Sequence, residues 1–241
     1  MCKKSAHKAM NAEILPSGEE LLDRLFAAAG RPLDPRRRGQ FLTYLRELQR
    51  WNRTISLTSV TDAAGIIGKH FLGSLDYLHG FAPLPGLPLL DMGTGAGFPG
   101  IPLKLWHPGL AVTLVESSRR KGAFLQYLCR VLELQDICCL VTRVEALVGD
   151  PATRGRYAVI VSRGVGELRR WLPAAFMLLQ AEGRVVLEKG PEGLAEVRAL
   201  APAVAHWGGA LTDVIPLEGT ASRRRMLVVL TKPGKKFDND R

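Results

Sequence analysis

The stretch LLDMGTGAGFPGIP, residues 89–102, sets a short apolar run and an aspartate directly in front of four glycines and two prolines. Joined to its upstream neighbours as LPLLDM, the run reads as a strand ending at Asp91, and the glycines turn the chain into the helical pattern GIPLKLW. Strand, tight turn and helix are the opening unit of a doubly wound sheet, in which ligands sit beyond the carboxyl ends of the strands. Gly93, Thr94, Gly95 and Gly97 therefore fall where backbone comes close to whatever is bound, and the absent side chains are the binding surface.

Downstream the same rhythm repeats. AVTLVE, SRRKGAFLQYLCRVLEL, DICCLVTR, YAVIVSR, ELRRWLPAAFMLLQ and GRVVLEK alternate β-type and helical runs, which predicts an α/β fold with a mostly parallel sheet and helices on both faces. LTDVIPL and RRRMLVVLTK are separated only by EGTASR, so the sheet is expected to close with an antiparallel hairpin. Upstream the chain reads as helical. Ser17 and Glu20 have capping-box spacing before the apolar stripe of LLDRLFAA, and Gly30 can stop that helix. Asp34 and Pro35 open a second helix with Phe41, Leu45 and Leu48 on one face, and DAAGIIGKHFLGSLDYL predicts a third. FAPLPGLP marks the boundary. The expected organisation is a flexible tail over 1–15, an N-terminal helical region over 16–83, the sheet-bearing core over 84–233 and a basic tail over 234–241.

Composition narrows the class of protein. With 46% apolar and 23% charged residues over 241 positions, the chain can bury a full core, and disorder is not the default. Thirty-three Lys+Arg against 23 Asp+Glu give a net charge of +10, which favours a polyanionic partner. Arg36–Arg38, Arg119–Lys121, Arg223–Arg225 and Lys235–Lys236 are the basic clusters. Four cysteines make no disulfide framework and no zinc-ligand spacing, so no metal is expected. Cys138 and Cys139, inside ICCLV, read as part of a buried strand, and reduced thiols fit a cytoplasmic protein. The N-terminal residues carry no apolar signal-peptide run, and no stretch is long enough for a transmembrane helix.

The glycine turn alone admits two cofactors. Gly95, Gly97 and Gly100 match GxGxxG, which points to a dinucleotide. Asp91, at the strand end, can pair with an ammonium group, which S-adenosylmethionine has and NAD lacks. Glu116 closes the next strand, where its carboxylate can accept hydrogen bonds from the ribose hydroxyls of either cofactor.

The run LLDMGTGAGFPGIPLKLWHPGLAVTLVESSRRKGAFL resembles the nucleotide-binding region of the 16S ribosomal RNA guanine-N7 methyltransferase family, long called glucose-inhibited division protein B. The resemblance extends through WNRTISLTSVTD, KHFLGSLDYL, VTRVEAL, VIVSRGV and RRRMLVVLTK, over roughly residues 20 to 232. Gly73 departs from it, standing where the family usually has aspartate. So does Glu188, at a usually apolar position. The resemblance implies a class I S-adenosylmethionine-dependent methyltransferase fold with a seven-stranded Rossmann-like sheet. It also implies cofactor contacts from Gly93, Phe98, Val144, Glu145 and Arg163, with Arg163 beside the reacting methyl as the catalytic candidate.

The implied acceptor is N7 of a guanine in the decoding-region loop of 16S rRNA, as free small-subunit RNA or in a 30S particle, and a monomer is the simplest expectation. Guanine N7 presents a free lone pair, so no catalytic base is required. The histidines at 7, 70, 79, 107 and 206 form no recognisable triad, and His70, near Phe71 on a helix face, reads as a packed or capping residue. Two other readings stay open on the residues themselves: an NAD(P)-dependent oxidoreductase, and a non-catalytic RNA-binding or assembly factor on the same fold.

Overall fold

The computed structural model describes residues 17–164, 166–217 and 225–234. α1 (Gly18–Ala28) begins at a complete capping box, in which Ser17 Oγ accepts from the Glu20 N–H and the Glu20 carboxylate accepts from the Ser17 N–H. α2 (Pro35–Asn52) starts on Asp34, whose Oδ1 accepts from the Arg37 N–H at 2.8 Å. The expected third helix is present but broken into unlike pieces. A short α3 (Ala63–Gly65) runs into a π-helix (Ile66–Leu72), then α4 (Gly73–Leu75) and a 3-10 turn (Asp76–His79).

The sheet follows as β1 (Pro88–Met92), β2 (Ala111–Glu116), β3 (Ile137–Val141), β4 (Tyr157–Ser162), β5 (Leu179–Lys189), β6 (Ala210–Leu217) and β7 (Arg225–Thr231), in the order β3-β2-β1-β4-β5-β7-β6. The pairs from β3 to β5 are parallel, whereas β7 runs antiparallel to both β5 and β6. Helices α5 (Gly100–Trp106), α6 (Arg119–Val131), α7 (Val144–Gly149), α8 (Leu168–Leu178), α9 (Pro191–Ala199) and α10 (Ala201–His206) supply the connections. α9 and α10 are two helices beyond those expected from the sequence. The six residues expected to link β6 to β7 lie outside the described residues.

Two apolar clusters flank the sheet. One joins Leu22, Phe26, Phe41, Leu45 and Phe71 of the N-terminal helices to Ile101, Leu114, Phe124 and Leu128. The other packs Leu172, Phe176 and Leu178 of α8 and Val197 of α9 on Leu90, Ile160, Val185 and Val228. ICCLV is not the buried strand expected. β3 is the sheet edge, with Cys138 and Val141 exposed, because only β2 pairs with it.

Candidate functional site

β1 delivers its aspartate into the interior. Asp91 is fully buried, and its Oδ2 accepts from Thr94 Oγ1 at 2.6 Å and from the Gly100 N–H at 2.7 Å, so one carboxylate oxygen clasps both ends of the glycine turn. The other oxygen, Oδ1, is buried without a hydrogen-bond partner. Burial pushes the Asp91 carboxyl up to about 7, opposed by those two hydrogen bonds and by the charge of Arg163. Gly97, at φ 102°, leaves room for Tyr44: a Cβ there would lie 2.6 Å from both Tyr44 Oη and Ile101 Cδ1. That hydroxyl donates to the Ala96 carbonyl at 2.6 Å, fixing the turn to α2.

Glu116, also buried, holds the turn from the β2 side. Its Oε2 accepts from the Gly95 N–H at 3.0 Å and its Oε1 from the Ser118 N–H at 2.8 Å, and each oxygen keeps a further lone pair. The N–H groups of Gly93 and Thr94 both reach the Val115 carbonyl. Gly93 remains exposed and Gly95 half-buried, so the upper face of the turn is bare backbone. Val144 and Glu145 open α7 just beyond β3, one strand further out. Val144 is half-buried and packs on the second cluster, Glu145 is exposed, and no side chain caps the helix.

Arg163 leaves the end of β4 next to β1, since Ser162 is in register with Met92. Its Nη2 donates to the Lys69 carbonyl at 2.7 Å, its Nε lies 3.7 Å from Glu188 Oε2, and its Nη1 is buried with no partner. The Lys69 carbonyl belongs to the π-helix, where the Gly73 N–H reaches back five residues to Gly68. The same segment presents His70, whose ring lies parallel to Phe98 and whose Nε2 is 2.8 Å from Thr58 Oγ1. Burial first, then the charges of Arg163 and Lys69, bring the His70 pKa down to about 4, so the imidazole is neutral near pH 7. Asp91 of β1 and Glu116 of β2 thus meet on the turn that carries Gly93, Thr94, Gly95, Gly97 and Phe98, with Arg163 on the adjoining strand end.

A family model described as GidB, rRNA small subunit methyltransferase G, matches residues 37–224. The chain belongs to this family. Two relatives called ribosomal RNA small subunit methyltransferase G are similar over most of their length. That of Roseiflexus sp. (strain RS-1) is 40% identical, covering 85% of this chain and 87% of its own, and that of Roseiflexus castenholzii is 41% identical, covering 89% and 91%. The crystal structure of M. jannaschii TYW2 in complex with AdoMet superposes with a TM-score of 0.54 over 72% of this chain and 77% of that one, at 16% identity, and shows the shared class I methyltransferase fold. Family and fold make the chain an S-adenosylmethionine-dependent rRNA methyltransferase, and the oxidoreductase and non-catalytic readings fall away.

Tyr44 and the Lys69 carbonyl touch the turn or Arg163 without a signal in the sequence, and Glu188, which stands out there only as a departure from the family resemblance, approaches Arg163. Tyr44 hides in the apolar stripe of α2, and a backbone carbonyl leaves no trace in composition. The basic clusters also separate. Arg37 and Arg38 are tied into ion pairs with Asp34, Glu19 and Asp23, and Arg225 with Glu188. Arg119 and Arg120 are exposed without an ion pair among the described residues, at the start of the helix that Ser118 caps beside Glu116. Arg223, Arg224, Lys235 and Lys236 lie outside the described residues. No described helix is long and apolar enough to cross a membrane.

Proposed function

We propose that this chain transfers the methyl group of S-adenosylmethionine to N7 of a guanine in the decoding-region loop of small-subunit rRNA, with a small-subunit particle as substrate. One observation carries the cofactor part. Asp91 Oδ1 is a buried acceptor without a donor, and Arg163 Nη1 is a buried donor without an acceptor, on adjacent strand ends beside bare glycine backbone. An amino-acid end bearing one ammonium and one carboxylate answers both, and the free lone pairs of Glu116 suit a ribose. The residues present therefore fit the cofactor.

Held by Asp91, Glu116 and Arg163, S-adenosylmethionine would supply a methyl group on a sulfonium sulfur, an electrophile for the lone pair of the guanine nitrogen. The chain's residues hold and desolvate. The turn clasped by Asp91, Glu116 and Tyr44 presents backbone at fixed positions, Arg163 is held by the Lys69 carbonyl, and the paired rings of His70 and Phe98 exclude water from one wall. Guanine N7 carries no proton to remove, in keeping with a site whose one buried histidine is already neutral. The exposed Arg119 and Arg120 suit phosphate contacts beside the site. A labelled-methyl transfer assay on small-subunit particles, with the modified base mapped, tests the proposal. Label on any atom but a guanine N7, or none on RNA, overturns it.

A further inference from the structure

Gly73 and Glu188 lie far apart in sequence, yet both abut one guanidinium. Glu188 Oε1 accepts from Arg225 Nε at 2.8 Å and its Oε2 from Arg225 Nη2 at 2.8 Å, a bidentate pair on neighbouring antiparallel strands. The same Oε2 is 3.7 Å from Arg163 Nε. Asp76 Oδ2 stands 3.7 Å from Arg225 Nη2. A Cβ built on Gly73 would sit 3.2 Å from Arg225 Nη2 and 3.7 Å from Nη1. Gly73 has φ −62° and ψ −22°, an ordinary helical conformation, so the backbone does not require glycine there. The missing side chain is the space that the arginine fills.

We infer that Glu188 is a positioning residue for Arg163, that it supplies from β5 the carboxylate which a side chain at position 73 would supply to the same Arg225 guanidinium from the helical segment, and that Gly73 and Glu188 form one exchangeable unit. The side chains of Arg163 and Glu188 are only 13% and 15% exposed, so a charge removed here is not replaced freely by water. Without Glu188, Arg225 keeps only Asp76, at 3.7 Å, and Arg163 keeps no carboxylate within 4 Å among the described residues. Arg225 then competes for the space beside Arg163, and the fork that donates to Lys69 loses its anchor. A carboxylate introduced at position 73 lies beside Arg225 Nη2, one of the two nitrogens that Glu188 holds, and restores the balance of charge.

This inference rests on the reading of Arg163 as a cofactor-holding residue, and a cycle of four proteins tests it: the wild type, Glu188→Leu, Gly73→Asp and the double variant. Each is followed by calorimetric titration with S-adenosylmethionine, single-turnover transfer at saturating cofactor, and thermal unfolding. Glu188→Leu is expected to weaken cofactor binding by about tenfold, and adding Gly73→Asp to recover most of that loss, whereas Gly73→Asp alone gains nothing. A merely structural role for Glu188 would lower thermal stability without moving cofactor affinity. If Glu188→Leu does not fold, Glu188→Gln, which keeps the shape and removes the charge, takes its place. The inference fails if a folded Glu188 variant binds cofactor like the wild type, or if Gly73→Asp brings no recovery. A wild-type chain that does not bind S-adenosylmethionine at all would instead overturn the proposed function.

Discussion

The imidazole of His70 lies flat against the ring of Phe98, with centroids 4.6 Å apart and planes 14° apart. This contact joins the π-helix to the glycine turn, and Tyr44 adds a second nearly parallel ring against Phe98 at 5.4 Å. Aromatic pairs of this kind contribute about 0.5–1.5 kcal/mol beyond the area they bury. His70→Ala is therefore expected to cost the fold about that much stability and to loosen Phe98 where it flanks the glycine turn. Because His70 is neutral down to about pH 4, transfer at saturating cofactor should gain no new pH dependence in the variant. Calorimetry and single-turnover kinetics across pH check both parts, and a new pH dependence would assign His70 a role in proton transfer.

Cofactor binding should depend on pH through Asp91. Its carboxyl is raised to about 7 by burial, and an incoming ammonium favours the ionised form, so binding expels a proton from this group below that pH. Affinity is expected to fall by up to about tenfold per unit as the pH drops below 7. Asp91→Asn should bind weakly and without that slope. The folded-state pKa lies above the usual carboxylate value, so this residue makes the cofactor-free protein less stable as the pH rises from about 4 towards 7. Thermal unfolding with and without cofactor over this range measures the effect directly.

RNA binding should weaken steeply with salt, whereas cofactor binding should not, because neutralised phosphates release counterions. Reversing Arg119 and Arg120 to glutamate is expected to lower the slope of log affinity against log salt by about 0.7 to 0.9 for each phosphate that is no longer neutralised. Reversal at Arg37 and Arg38 should lower thermal stability as well, since those guanidinia pair with Asp34, Glu19 and Asp23. Filter binding across salt concentrations separates the two cases, and an unchanged slope in the Arg119–Arg120 variant would remove those residues from the interface.

Methyl transfer should require N7 itself. A substrate carrying 7-deazaguanine lacks the nucleophile but keeps the Watson–Crick edge, and is expected to bind and not react. With normal substrate, single-turnover rates at saturating cofactor should stay level between about pH 6 and 9, since no base has to lose a proton. Product formation on the deaza substrate would identify another acceptor atom.

Much of this is legible in the sequence because it is local. The caps at Ser17 and Asp34, the strand carrying Asp91 and the glycine turn each depend on residues a few positions apart. The π-helix is not legible, because Ile67, Phe71 and Ser74 satisfy a helical stripe whichever backbone ladder connects them. Nor does any local pattern reveal that Arg163, 94 positions away from Lys69, takes its carbonyl. ICCLV reads as interior by its residue types, but whether a strand has one neighbour or two is decided by the order of the sheet. Glu188 is a similar case: the sequence marks it only as a charge at a usually apolar position, and its partner is evident only once β7 brings Arg225 alongside.

The shared cluster of N-terminal helices and sheet imposes an order on biosynthesis. Phe26, Phe41 and Phe71 leave the ribosome before Leu114, Phe124 and Leu128, the later residues of the same cluster, have been made. Translation at about 5–20 residues per second leaves those early faces without their partners for several seconds. Until α6 emerges the nascent helices have only one another to pack against, as Phe41 does against Phe26 and Phe71, and a pause in translation before residue 131 would lengthen the exposure of the rest of that face. In the finished protein the same dependence runs the other way, because the turn clasped by Tyr44 cannot keep its shape if the first helices peel away.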